Sequence, residues 1–432
     1  MFKESVDIES AFRPLNVLSK ILGLAHFSGH RNSFTGKIKD EGNREMEFRK
    51  VIWCVVVTCT VVMGFVFSII HLKISSHFIV FQIVTAILSM PVGYLGTLVA
   101  LIAGLTWNRN KFPEFVLKMS VFDKYLFGAK RADVYRKQYK SCIKQLTVLP
   151  LILFPFYCYD VYVYGVYMNY VIVYMHISNF IKEIVVVQFI NVVWMITERL
   201  EYLSKEVASC LEPRVELSSN IRVNPGATCI SKNESTLQTS LLEAGKMCTG
   251  VLVADFPVFT RRRPSFSEVE RLMRVRKLYN MLFEVSKLVN GMYGIHIITD
   301  LIYNFINVVI SVYAVIGFTT GTIRLDLAVS FWQHIALNMC WLVVALVKVI
   351  VITVSCHTAS AQVAVCYEVV QQLLVTDALR QDTRRQLKLL LPQVSTTRAL
   401  FTACDVFVLD LSVLFTFVSS AATYIVVLVQ LK

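Results

Sequence analysis

Residues 401–432 read FTACDVFVLDLSVLFTFVSSAATYIVVLVQLK. From Cys404 to Leu431 this is the pattern of a single helix, long enough at about 1.5 Å per residue to cross a bilayer with some tilt. Its polar residues fall in register. Asp405, Ser412, Thr416, Ser419, Thr423 and Gln430 recur at steps of three, four or seven, and Leu409 and Val426 fill the remaining positions. A seam repeating every ~3.5 residues is the spacing with which helices face one another or a shared axis. Lipid cannot satisfy a polar stripe, so the seam must meet protein or water. Two readings stand: small residues packing tightly between helices, or a pore-lining helix.

Further apolar runs of spanning length lie upstream, near 51–72, 78–106, 146–167, 171–197, 294–317 and 330–356. With the last run at 402–431 they make seven, each about the length a hydrocarbon core requires. The chain has 432 residues, 55% of them hydrophobic, and the apolar excess is gathered into these runs. The expected fold is therefore all-α: a polytopic membrane protein with seven transmembrane helices. Pro91, Pro150 and Pro155 sit inside spans as candidate kinks. The first 50 residues lack the early apolar core of a cleaved signal peptide. Within them, Pro14 to Phe27 is mildly amphipathic and suits the membrane surface.

Charge sets the expected orientation. Of the 43 Lys and Arg, 38 fall in segments 1–50, 107–145, 198–293 and 357–401. The alternate segments hold three, Lys73, Arg324 and Lys432, while Lys182 and Lys348 lie within spans. By the positive-inside rule the N-terminus is cytosolic and the C-terminus extracellular, the reverse of a G-protein-coupled receptor. The expected organisation is a cytosolic segment 1–50, helices 1–4 in 51–197 with a cytosolic loop 107–145, and a long cytosolic loop 198–293 that is helical in its second half. Helices 5–6 follow in 294–356, then a cytosolic helical linker 357–401 and the final helix in 402–432. The middle of the long loop, 207–264, is rich in Ser, Asn, Thr and Glu and reads as disordered. The sequon at Asn233 falls there, on the side where glycosylation is not expected. From Pro264 a helix is expected, capped by Ser265 or Ser267 and apolar along Leu272, Met273, Met281, Leu282, Val285 and Leu288.

The closing pattern, Thr423-Tyr424, five apolar residues and Gln430, resembles the signature that ends insect gustatory receptors: Thr-Tyr, five hydrophobic residues, Gln, Phe. Ala399 to Cys404 and Leu409-Asp410 resemble that family's final helix as well. Leu431 stands where the family usually has Phe, and Leu411 where an Arg is common. The resemblance implies a chemosensory receptor in the plasma membrane that acts as a ligand-gated, weakly selective cation channel. It implies a homo- or hetero-tetramer whose pore is lined by helix 7 of each subunit. The partners it implies are a small-molecule tastant, monovalent and divalent cations, membrane lipid and other receptor subunits. Pore and gate candidates on this chain are Gln430, Leu431, Thr423, Tyr424, Thr416, Ser412 and Asp405.

A second concentration lies between spans three and four, where Tyr157, Tyr159, Tyr162, Tyr164, Tyr167, Tyr170 and Tyr174 fall within 18 residues. Tyrosine offers a flat apolar face and a hydroxyl, which suits a pocket for a small organic molecule. It equally suits an aromatic belt at headgroup depth. The resemblance implies a ligand pocket in the outer half of the subunit. The candidates are Tyr159, Tyr162, Tyr167, Tyr170 and Tyr174, with Trp332 and Gln333 from the start of span six. Among intramembrane charges, Lys182 and Glu183 are adjacent and could neutralise each other. Asp410 is expected one and a half turns into the last helix, with Lys348 or Arg398 as salt-bridge partners. Asp405, on the seam, suits cation attraction. Eleven scattered Cys without a CxxC indicate neither a disulfide framework nor a zinc site. No enzyme motif and no cofactor fingerprint is present, and the basic balance of +13 follows the loops rather than a nucleic-acid surface. The alternatives are a metabotropic seven-helix receptor, which predicts the opposite charge asymmetry, and a secondary transporter, which would show an internal repeat.

Overall fold

A computed structural model describes residues 8–24, 41–74, 80–106, 108–128, 131–209, 268–321, 331–375, 380–396 and 401–430. The N-terminal pair α1 (Ile8–Ala11) and α2 (Arg13–Ile21) precedes α3 (Glu41–Ile74), α4 (Val80–Leu105), α5 (Asn108–Phe127) and α6 (Arg131–Ser209). After them come α7 (Glu268–Thr319), α8 (Phe331–Val375), α9 (Gln381–Thr396), a hairpin of β1 (Thr402–Ala403) and β2 (Phe407–Val408), and α10 (Leu411–Gln430). The expected disorder in 207–264 falls outside the described residues from 210 onward. So do the sequon, Ser265, Ser267, Arg398 and Leu431.

Six helical stretches among the described residues are long and apolar enough to cross a membrane: one each in α3, α7, α8 and α10, and two in α6. The 26-residue apolar α4 adds a seventh. The α6 run is helical over 79 residues, with Pro150 and Pro155 inside it. It cannot be straight. Asp160 and His176 would then lie roughly 24 Å apart along the axis, yet their side chains approach to 3.0 Å. Asn191 likewise reaches back to Gln145 at 2.5 Å. The run is thus two antiparallel limbs, reversing between Asp160 and His176.

At ~1.5 Å per residue, the 52 residues of α7 far exceed a bilayer. Its first half projects beyond the span on the end where Arg and Lys gather, called here the basic end. Leu272, Val275, Leu278, Leu282 and Val285 are buried there, along with Leu387, Leu390 and Val394 of α9. Met273, expected on this apolar side, is exposed instead, because the packed stripe runs through Val275 and Leu278.

α5 is held to both limbs of α6 by a fully buried pair. Arg199 forks onto Asp123, Nε to Oδ1 at 3.1 Å and Nη2 to Oδ2 at 2.9 Å. Tyr135 donates to the same Asp123 at 2.8 Å. On the surface of α5, Lys118 lies 3.1 Å from both Glu114 and Glu284. Those hydrogen bonds, Glu114 first, raise its pKa and keep it charged.

The N-terminal pair packs against the bundle. Ile8, Ala11, Phe12 and Leu15 are buried, packed on α5 and α6, and Gln188 of α6 donates to Ser19. Only the Val17 and Ile21 side remains exposed.

Candidate functional site

The last helix is shorter than its sequence suggests. Residues 402–408 form an antiparallel hairpin with Thr402 opposite Val408 and Ala403 opposite Phe407. Cys404 and Asp405 form its turn, in the left-handed region at φ of 53° and 59°, and Thr402 donates to Asp405 at 2.8 Å. Asp405 is therefore a turn residue and not part of a helical seam. The hairpin rests on α7 where the chain supplies Gly294. A Cβ there would come within 2.9 Å of the Cys404 backbone nitrogen, so only glycine admits the strand this closely. Asp410 is also reassigned. It caps α10, its Oδ1 accepting from the Ser412 amide at 2.9 Å and the Ser412 hydroxyl at 2.5 Å. Lys348 is committed elsewhere.

From Leu411 the helix presents two unlike faces. Phe417 and Ala421 are buried against the bundle, and the Phe305 ring of α7 meets Phe417 and Tyr424 edge-on at 5.5 and 5.8 Å. Ser412, Thr416, Ser419, Thr423, Val426 and Gln430 are all exposed. At 100° per residue this seam lies nearly opposite the Phe417 and Ala421 face. Thr416 and Thr423 donate to carbonyls one turn back, at 2.9 and 3.0 Å, leaving hydroxyl oxygens outward as acceptors.

At the end opposite the basic one, the reversal of α6 assembles an aromatic cluster. Tyr157 stacks on His176 at 4.4 Å between ring centres, and Trp341 of α8 lies parallel to His176 at 6.0 Å. Asp160 is 3.0 Å from His176 Nε2, but out of line, so neither ring nitrogen has a hydrogen-bond partner. The residues proposed from sequence distribute differently. Tyr162 and Trp332 point away from the bundle, at 69% and 72% exposure. Tyr159, Tyr174 and Gln333 are half-buried, with Tyr174 lying against Gly64 of α3. Tyr167 and Tyr170 are on helical backbone, and their side chains lie outside the described residues.

Between the two ends lies a buried ionic cluster. Lys348 of α8 pairs with Glu183 of α6 and, at 3.2 Å, with Asp300 of α7. Asn304 donates to Asp300 at 3.0 Å. Lys182 does not neutralise its neighbour Glu183. Successive residues on a helix point about 100° apart, and Lys182 instead lies 3.2 Å over the Tyr303 ring as a cation–π contact. Sequence reading missed Asp300 and Trp341. An acid inside the run 294–317 was signal enough for Asp300; nothing distinguished Trp341 from other span aromatics.

Seven apolar helices around a buried ion network, with a polar-faced terminal helix left at the edge, describe a polytopic seven-helix membrane protein. The chain belongs to the 7tm chemosensory receptor family, whose profile matches residues 12–432; this is a receptor family and not an enzyme family. In fold it resembles the insect olfactory receptor OR5 from Machilis hrabei, solved in complex with eugenol. That likeness has a TM-score of 0.55 at 11% identity, over 98% of this chain and 99% of the other. No curated protein sequence matches the chain.

Proposed function

We propose that this chain is a gustatory-type receptor subunit that opens a weakly selective cation channel when a small-molecule tastant binds. Four copies, alone or with related subunits, surround a common axis in the plasma membrane, with α10 of each lining the pore. The observation that carries this reading is the exposed seam of Ser412, Thr416, Ser419, Thr423 and Gln430, turned away from the subunit's own bundle. Lipid is a poor solvent for such a face, and a water-filled axis shared by several copies is a good one. Gln430 forms the outer constriction, and Asp405 in the hairpin turn sits at the inner mouth, where its charge draws cations. The tastant is taken up at the aromatic end, among Tyr157, His176 and Trp341. Eugenol, bound by the Machilis hrabei receptor, is an aromatic molecule of the kind such a site suits.

The test is cysteine accessibility along α10. Cysteine placed singly at Thr416, Thr423 and Gln430 is expected to react with a charged thiol reagent faster when the channel is open. Cysteine at Ala421 and Ile425, facing the bundle, is expected to stay unreactive. Equal labelling of both faces would mean that the stripe packs against protein and that ions pass elsewhere.

A further inference from the structure

A cavity of about 30 Å³ lies at the basic end of the bundle, between α4, α5, α6 and α7. Its walls are mostly apolar, including Val99, Ala103, Phe112 and Met292. Two polar side chains on the wall are left incomplete. His296 is 3% exposed, and with the Lys182 backbone as its one hydrogen-bonding neighbour its two ring nitrogens are not both satisfied. Asn108 donates its amide nitrogen to the Met292 carbonyl at 3.1 Å, which fixes its orientation and leaves Oδ1 buried without a partner. Buried polar groups are nearly always satisfied, by protein or by ordered water. One closing wall belongs to the N-terminal segment. Gln188, on the wall, donates to Ser19 of α2, and the Leu24 carbonyl sits against Gly104, where any Cβ would collide with it.

We propose that this cavity is a hydration site, holding a small cluster of water between His296 and Asn108. Size selects the guest: a void of about 30 Å³ takes roughly two waters, whereas a benzene-sized guest needs about 150 Å³. Chemistry selects it too. Neutral imidazole offers one donor and one acceptor, and Asn108 Oδ1 needs a donor. Among the described residues the wall contains no carboxylate to hold a cation. Water supplies both roles. The consequence reaches beyond local packing, because Asp300 follows His296 by one helical turn on α7 and is bound to Lys348. The site therefore carries water to within a turn of the central ion pair, under a cover formed by α2 and Leu24.

X-ray radiolytic labelling of the full-length receptor in lipid nanodiscs tests this, because radicals form in place from ordered internal water. Met292 and Tyr293 are almost fully buried, yet they are expected to oxidise at rates typical of exposed side chains. Met119 and Met195, which are also buried, serve as dry references and are expected to stay unmodified. Ala103→Leu fills the void and is expected to bring Met292 down to the level of Met119. Val99→Phe provides a second filled variant should the first not accumulate. Absence of Met292 labelling in the wild type, or labelling that persists in a folded filled variant, would overturn the proposal. The readout does not depend on channel current, so it stands or falls apart from the pore reading.

Discussion

Lys348 carries one positive charge between two carboxylates, Glu183 and Asp300, inside a membrane span. Pairing in so dry a place holds only while each member has its partners. Lys348→Met would leave Glu183 and Asp300 facing each other uncompensated, and the expected loss is about 3–5 kcal/mol. Thermal unfolding of the solubilised receptor, alongside surface expression, measures it. Adding Glu183→Gln and Asp300→Asn removes the stranded charges and is expected to recover much of the loss. A single variant that unfolds with the wild type would show that the network holds nothing together. At this scale the sequence was only partly legible. Lys182, Glu183 and Lys348 stood out as charges in apolar runs, but their pairing depends on which faces three helices turn inward. Adjacent numbering misled for Lys182 and Glu183, because neighbours on a helix diverge by about 100°.

Among the elements, α10 and α6 show opposite limits of pattern reading. The seam of α10 survived from sequence to structure because a helix converts spacing directly into a face. Its start did not. Phe407 and Val408 favour strand as readily as helix, and the left-handed turn at Cys404 and Asp405 breaks the helix without a glycine to announce it. The capping pair Asp410 and Ser412 was the available signal, since a side chain accepting from the amide two residues on marks a helix start. For α6, apolar runs gave two spans, while the Asp123 clamp on Arg199 could only emerge once the limbs and α5 met. That clamp yields a prediction at this scale. Arg199→Leu strands Asp123, which is fully buried with only Tyr135 left to it. The expected destabilisation is about 3–5 kcal/mol, read as a lower unfolding temperature, while Arg199→Leu with Asp123→Leu is expected to be milder. Equal loss in both variants would mean that packing volume, and not the stranded charge, sets the cost.

For the molecule as a whole, the fold follows from seven apolar runs and the charge between them, but sidedness follows from charge alone. The basic end gathers the long extension of α7, the helices α5 and α9, and Arg199 with Lys137 beside Glu198. Of the 43 Lys and Arg in the chain, three sit in segments assigned to the other side. Each basic residue near a span end resists translocation, so the basic end is expected to face the cytosol. With an odd number of crossings, α10 is then expected to run outward, which in the proposed channel puts Gln430 at the extracellular mouth and the hairpin turn with Asp405 at the cytosolic one. Epitope tags at each terminus, stained before and after permeabilisation, decide it. The C-terminal tag is expected to stain on intact cells and the N-terminal tag only after permeabilisation. The opposite pattern would put the basic extensions outside, interchange the two mouths of the proposed pore, and return the metabotropic reading to consideration.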